Sequence, residues 1–335
     1  MSQTSQAQPY GLVADIGGTN VRLATVGLNA REPQIGSLRV LSTQDHPDIV
    51  AAAKAYLREA AIDAPPHSLV FAVAGPIKNN EIQLTNAGWR ISAKALQEGL
   101  GAASAKLVND FEAVAQAVPH LRESDLKVLG PSPAFDPLGD GTIAIVGPGT
   151  GLGVSGLVSG NGARLALVTE GGHAAFAPTD AMEMRVVEFL MRRYGRVSAE
   201  RILSGPGLLN LYGAMAEISG VTPNDRTPEN ITAIARSDSS SFEAKVFARF
   251  CAILGSVAGD VALIMGARRG VLIAGGILPD AAELIAQSDF RRRFEDKARF
   301  RTYMSAIPTA LILQPHVGLI GAASVLLRDF SSERG

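Results

Sequence analysis

The chain of 335 residues is 47% hydrophobic and 19% charged, enough apolar material to build the cores of two ordinary domains and too much for a disordered chain. Its formal charge of −1, with no basic block, argues against nucleic acid or an anionic membrane as its main partner. The single cysteine, Cys251, makes neither an internal disulfide nor a multi-cysteine zinc site, which suits a reducing compartment. Within Phe250-Cys251-Ala252-Ile253-Leu254 it reads as a small buried hydrophobe. Residues 1–9 lack the charged and apolar regions of a signal peptide, and no run of 18 or more uninterrupted apolar residues occurs. The expectation is a soluble, cytoplasmic protein.

In chain order, residues 12–26 read as strand, Gly-rich turn and strand. Residues 48–61 read as a helix with Ile49, Ala53, Tyr56 and Leu57 on one face. The run Leu69-Val70-Phe71-Ala72-Val73-Ala74 is a buried strand stopped by Gly75-Pro76. Ala105-Lys106-Leu107-Val108 is another, leading through Asn109-Asp110 into a helix that ends at Pro119. Residues 130–141, rich in Pro, Gly and Asp, read as a linker or long loop. The opening pattern then returns: Thr142-Ile143-Ala144-Ile145-Val146, a glycine loop, and Val154-Ser155-Gly156-Leu157-Val158. Helical stretches at 182–193 and 242–265 and a strand at 270–274 complete an α/β pattern. Two strand–Gly-loop–strand units predict two related α/β domains with facing hairpins.

Consecutive backbone N–H groups hold a phosphate chain when no side chain keeps the backbone away, hence the use of Gly. The loop Gly147-Pro148-Gly149-Thr150-Gly151-Leu152-Gly153 has this character. It is no Walker A loop, since no Gly-Lys-Ser/Thr follows, and no dinucleotide fingerprint, since Leu152 holds the third Gly position and a strand follows. A two-jaw phosphate clamp remains: Asp15 with Gly17, Gly18 and Thr19, and Gly149 with Thr150 and Gly151. Either loop alone is more simply a tight turn. Ala274-Gly275-Gly276-Ile277 after a buried strand permits close approach of an adenosine, or is a plain strand-to-helix turn.

Sugar recognition needs groups that bridge vicinal hydroxyls, and carboxylates, amides and imidazole suit it. Three sites at the ends of apolar runs offer them: Asn109-Asp110, Glu170-Gly171-Gly172-His173, and Glu200. Asn109 also reads as a helix N-cap with Glu112 closing a capping box, which leaves Asp110 to accept the proton of an attacking sugar hydroxyl. His173 is the one histidine of five beside a carboxylate and two glycines. Glu200 also reads as a first-turn acid of a helix capped by Ser198. No metal-cage spacing is present; Asp15 is placed to hold Mg²⁺ through water while ATP phosphates supply the inner ligands.

Taken together, Asp15-Ile16-Gly17-Gly18-Thr19-Asn20, residues 147–153, Val108-Asn109-Asp110-Phe111, Glu170-Gly171-Gly172-His173, residues 197–207 and Ile273-Ala274-Gly275-Gly276-Ile277 resemble the actin-like ATPase sugar kinases, and closely the bacterial glucokinase family, from about residue 12 to 327. The resemblance implies two actin-like ATPase (ribonuclease H-like) α/β domains with the active site in the interdomain cleft. The small domain would be 1–120 plus 314–335, completed by a helix near 318–328, and the large one 121–313. It implies ATP-dependent phosphorylation of glucose at the 6-hydroxyl. Asp110 would be the general base, and Asn109, Asp110, Glu170, His173 and Glu200 would bind the sugar. Ala14, Asp15, Ile16, Gly17, Gly18 and Thr19 would bind ATP phosphates with Gly149, Thr150 and Gly151, and Gly275 and Gly276 would approach the nucleoside. Thr85-Asn86-Ala87-Gly88-Trp89 would reach the sugar. A homodimer is also implied. The related kinases and repressors with a Cys-rich zinc motif match poorly, since Ala174-Ala175-Phe176 follows His173.

The residues leave open another hexose (mannose, fructose or N-acetylglucosamine) as substrate. A non-catalytic sugar-sensing regulator is a second alternative, although about ten residues before the first strand are too few for a helix-turn-helix. A chaperone-type ATPase would leave Glu170, His173 and Glu200 without a purpose.

Overall fold

The computed structural model describes residues 9–84 and 88–334. The chain packs into two compact units, 1–121 with 315–335, and 122–314. Both are α/β with mixed sheets.

In the first unit, β1 (Tyr10–Ile16), β2 (Asn20–Gly27) and β3 (Ile35–Ser42) form an antiparallel meander. Helix α1 (Ile49–Glu59), capped by Asp48, carries the chain to β4 (Ser68–Val73), parallel to β1. The small hairpin β5 (Glu81–Gln83) and β6 (Arg90–Ser92) and helix α2 (Ala93–Leu100) lead to β7 (Ser104–Asn109), parallel to β4. Helix α3 (Asp110–Ala117) follows. The sheet order is β3-β2-β1-β4-β7.

Alternation along β1 explains the layers. Leu12, Ala14 and Ile16 join Tyr56, Phe71 and Leu96 in one core, while Val13 turns to the other face, against Val70, Leu319 and Leu326. That second face is covered by α3 and by the last helix of the chain, α11 (Val317–Ser332). Asp15, two residues beyond Val13, points to the same side.

The second unit repeats the plan. Strand β8 (Leu126–Val128) is followed by β9 (Gly141–Pro148), β10 (Leu152–Gly160) and β11 (Ala163–Val168), again an antiparallel meander. Helices α4 (Ala181–Tyr194), α5 (Gly205–Ser219), α6 (Pro228–Ser237) and α7 (Phe242–Met265) cross to β12 (Gly270–Ile273). Short helices α8 (Ala282–Gln287), α9 (Phe290–Glu295) and α10 (Arg301–Ser305) cross to β13 (Thr309–Ile312). The order β11-β10-β9-β12-β13 matches the first sheet strand for strand, with β8 added beyond β13. After β13 comes α11 (Val317–Ser332), which belongs to the first unit.

Residues 130–140 form an irregular loop inside the second unit, with no role as a linker between units. Arg269 holds it, donating to the carbonyls of Asp136 at 2.5 Å and Asp140 at 2.9 Å. Helix α7 is long and apolar enough to span a membrane by length and composition, but 61% of its most apolar window is buried in the protein. Cys251 lies within it, fully buried, with its thiol pushed up to about 12 by desolvation.

Candidate active site

Parallel strands end at one edge of their sheet, so the residues that follow them meet there. In the first unit the register aligns Ile16 with Val73 and Val73 with Asn109. Three turns therefore start side by side: 17–19 after β1, Ala74-Gly75 after β4, and Asn109-Asp110 after β7. Asn109 knits two of them. Its Oδ1 accepts from the N–H groups of Phe111 (2.9 Å) and Glu112 (3.2 Å), capping α3, and its Nδ2 donates to the Gly75 carbonyl at 3.3 Å. Of the expected capping box the structure forms this Asn109 half. An amide so used keeps one N–H for a ligand. Asp110 opens α3, half-buried, with Oδ1 3.0 Å from the Phe111 nitrogen.

The turn after β1 is closed by Gly17 N–H donating to Asn20 O at 3.0 Å. Its Gly18 and Thr19 carbonyls face Thr43, whose Oγ1 lies 3.2 and 3.0 Å away. Asp15 pairs across the hairpin with Arg22, Oδ2 to Nη1 at 3.4 Å. A Cβ on Gly318, in the first turn of α11, would come within 3.3 Å of its carboxyl carbon. Burial pushes the Asp15 carboxyl above the usual range, against the opposing pull of Arg22 and His316.

In the second unit the 149–151 turn joins β9 to β10, with Gly149 N–H donating to Gly151 O at 2.8 Å and Gly205 N–H to Gly149 O at 2.8 Å. Glu200 ties it to the polar cluster. Its Oε2 accepts from Leu152 N–H at 3.0 Å, and its Oε1 lies 3.7 Å from His173 Nδ1. His173 Nε2 lies 3.9 Å from Glu170 Oε2. The imidazole thus stands between two carboxylates, with its side chain 60% exposed. Glu200 sits on a single 3₁₀ turn, Ala199–Arg201, with no side-chain cap from Ser198; the cap of α5 is Ser204, whose hydroxyl donates to Glu200 O at 2.8 Å. Arg196 donates to the His173 carbonyl at 2.9 Å.

The glycines divide by what demands them. A Cβ on Gly275 would lie 2.1 Å from the Pro148 carbonyl, so backbone packing requires glycine there, while one on Gly151 would lie 2.5 Å from Glu200 Oε2, the end of a side chain that can move aside. A Cβ on Gly149 or on Gly276 would meet nothing within 4 Å. Packing inside the chain does not call for glycine at either position. Because Gly275 abuts Pro148, the 275–276 turn and the 149–151 turn adjoin.

The structure thus gathers Ala14, Asp15, Ile16, Gly17, Gly18 and Thr19 with Asn109 and Asp110 in one unit. In the other it gathers Gly149, Thr150, Gly151, Glu170, His173, Glu200, Gly275 and Gly276. Thr85, Asn86 and Ala87 lie outside the described residues, and Trp89, 4% exposed, is a core side chain. Sequence reasoning missed Arg22, Thr43 and Gly75. Arg22 was reachable, because a hairpin symmetric about 17–20 sets it opposite Asp15. The partners of Thr43 and Gly75 are set by tertiary packing. Among the described residues no three His, Cys, Asp or Glu side chains gather as a cation cage.

A glucokinase family model matches residues 12–329. The glucokinase of Caulobacter sp. (strain K31) is 43% identical over 321 residues, 95% of either chain. The crystal structure of a glucokinase from an Antarctic psychrotroph superposes with a TM-score of 0.83 at 33% identity, over 96% of this chain and 100% of that one. A ROK family glucokinase from Streptomyces griseus, solved with glucose and AMPPNP, shares the fold at 18% identity and a TM-score of 0.63, over 94% and 98% of the two chains.

Proposed function

Since the chain belongs to the glucokinase family, we propose that it transfers the γ-phosphoryl group of ATP to the 6-hydroxyl of glucose, giving ADP and glucose 6-phosphate. The geometric observation that carries this reading is Glu200, one carboxylate bonded to a glycine turn and set beside His173 and Glu170. A nucleotide site alone needs no such cluster. Residues of the two units serve the same pair of substrates.

Asp110 accepts the proton of the 6-hydroxyl as its oxygen bonds to the γ-phosphorus and the bridging oxygen leaves with ADP. The remaining N–H of Asn109 donates to a sugar hydroxyl, while Glu170 and Glu200 accept from hydroxyls and His173 bridges between them. The turns 17–19 and 149–151 offer backbone N–H groups to the phosphates, and Gly275-Gly276 lets the nucleoside approach. Mg²⁺ comes as part of the nucleotide substrate. A lone carboxylate at Asp15 fits an ion that keeps phosphate and water ligands, and that ion supplies charge neutralisation on the phosphates. The proposal extends to a cytoplasmic homodimer.

The test is ADP release with Mg-ATP across glucose, mannose, fructose, N-acetylglucosamine and no sugar. Turnover with glucose well above the others supports the reading. Preference for another hexose keeps the mechanism and changes the substrate, and sugar binding without turnover makes the chain a sensor.

A further inference from the structure

We propose that Thr43 is a positioning residue that sets the phosphate-binding face of the 17–19 turn; the inference rests on the reading of that turn as an ATP phosphate loop. Thr43 opens the short turn after β3, is 3% exposed, and is distant in sequence from the loop it touches. Its backbone N–H donates to Thr19 O at 2.9 Å, and its hydroxyl, with one proton to give, lies 3.0 Å from Thr19 O and 3.2 Å from Gly18 O. Two consecutive carbonyls are therefore drawn toward the same buried side chain.

A trans peptide points its C=O and N–H in opposite directions. Holding the Gly18 and Thr19 carbonyls toward Thr43 turns the N–H groups of Thr19 and Asn20 away from it, side by side. Adjacent N–H groups on one side of a turn form an anion-binding concavity. The closing bond from Gly17 to Asn20 fixes the ends of the turn and the Thr43 backbone N–H holds the Thr19 carbonyl, which leaves the Gly18 carbonyl to be oriented by the Thr43 hydroxyl. A Gly-Gly turn without an anchor would spend part of its binding free energy on ordering itself. Thr43 settles that orientation before ATP arrives. The side chain is buried beneath the loop and acts only through these peptides.

The experiment compares wild type with Thr43→Val, which keeps the shape and removes the hydroxyl, and Thr43→Ser, which keeps the hydroxyl. ATP affinity is measured by calorimetry without sugar, alongside KM for ATP, KM for glucose and the melting temperature. We expect Thr43→Val to weaken ATP binding and raise KM for ATP about tenfold, with KM for glucose within about twofold, and Thr43→Ser to recover most of the loss. A merely structural role would lower the melting temperature and move both substrates together. Unchanged ATP affinity in folded Thr43→Val, equal losses for both substrates, or failure of Thr43→Ser to recover would each overturn the inference. Wild type that binds ATP but phosphorylates no sugar would sink the kinase reading alone, and the Val–Ser comparison on ATP affinity would still decide the role of Thr43. Wild type that binds no ATP overturns both.

Discussion

Glu200 accepts a hydrogen bond from the backbone N–H of Leu152 at 3.0 Å, so a side chain suited to sugar hydroxyls is fastened to the turn suited to phosphate. A charged acceptor on a backbone N–H is worth about 1.5–3 kcal/mol, or roughly ten- to a hundredfold in binding. Glu200→Ala is expected to raise KM for both glucose and ATP by at least about tenfold. Glu200→Gln keeps an acceptor for Leu152 and should hurt glucose more than ATP. ATP affinity without sugar decides the point: if Glu200→Ala leaves it at the wild-type value, the bond to Leu152 does not shape the loop.

Asp110 opens α3, where a negative charge gains about 0.3–1 kcal/mol from the helix dipole. Asp110→Asn is expected to lower kcat by about a hundred- to ten-thousandfold while glucose binding, followed by calorimetry, persists. A variant turning over within about tenfold of wild type would mean that another group takes the proton.

The glycines give a paired test. Gly276→Ala meets open space and should leave the melting temperature unchanged while raising KM for ATP. Gly275→Ala should instead destabilise the fold, because φ is +101° and the new Cβ would strike the Pro148 carbonyl at 2.1 Å. Thermal melts and ATP titrations of the two variants should separate cleanly; a loss of stability in Gly276→Ala would refute the assignment of that space to a ligand.

Stability of the second unit leans on Glu183 of α4, which is fully buried. It accepts from Thr179 N at 2.8 Å and from Arg293 of α9 at 2.8 Å, with Arg249 of α7 at 3.3 Å. Breaking such a network from one side leaves buried charge uncompensated, so Glu183→Ala should cost about 3–5 kcal/mol in urea unfolding. Replacing Glu183 and Arg293 together by apolar residues of similar volume should recover much of it.

Asp180 caps α4 beside this network. Burial opposes its charge, but the Glu183 N–H, Arg249 and Arg293 prevail and hold the carboxyl below its usual 3.8. A depressed acid contributes stability at pH values above 3.8 that is lost as pH falls through the folded-state value. Asp180→Asn should therefore melt below wild type at pH 7, by about 1 kcal/mol or less since the group is partly exposed, and the gap should close in acid. A gap independent of pH would assign the loss to packing.

Much of this was legible in the sequence. Both hairpins, the buried strand at β4, the β7–α3 corner and the core helix α7 carry strong apolar periodicity or Gly punctuation. Strand β3 escaped because it is largely solvated, and β13 because four buried residues do not distinguish strand from helix. In the site, motif residues were found one by one, but the bonds joining them were not. Glu200 to Leu152 spans 48 positions and Thr43 to Gly18 spans 25, and no local pattern encodes such distances.

Helix α11 covers the face of the first sheet formed by Val13, Val70 and Val108, yet residues 317–332 are made long after those strands. During synthesis the second unit, contiguous over 122–314, has all its residues in hand first. The opening sheet must wait with an apolar face unsheltered, a state that invites aggregation and chaperone attention. The segment bearing Asp15 and Asp110 thus matures last although the ribosome delivers it first.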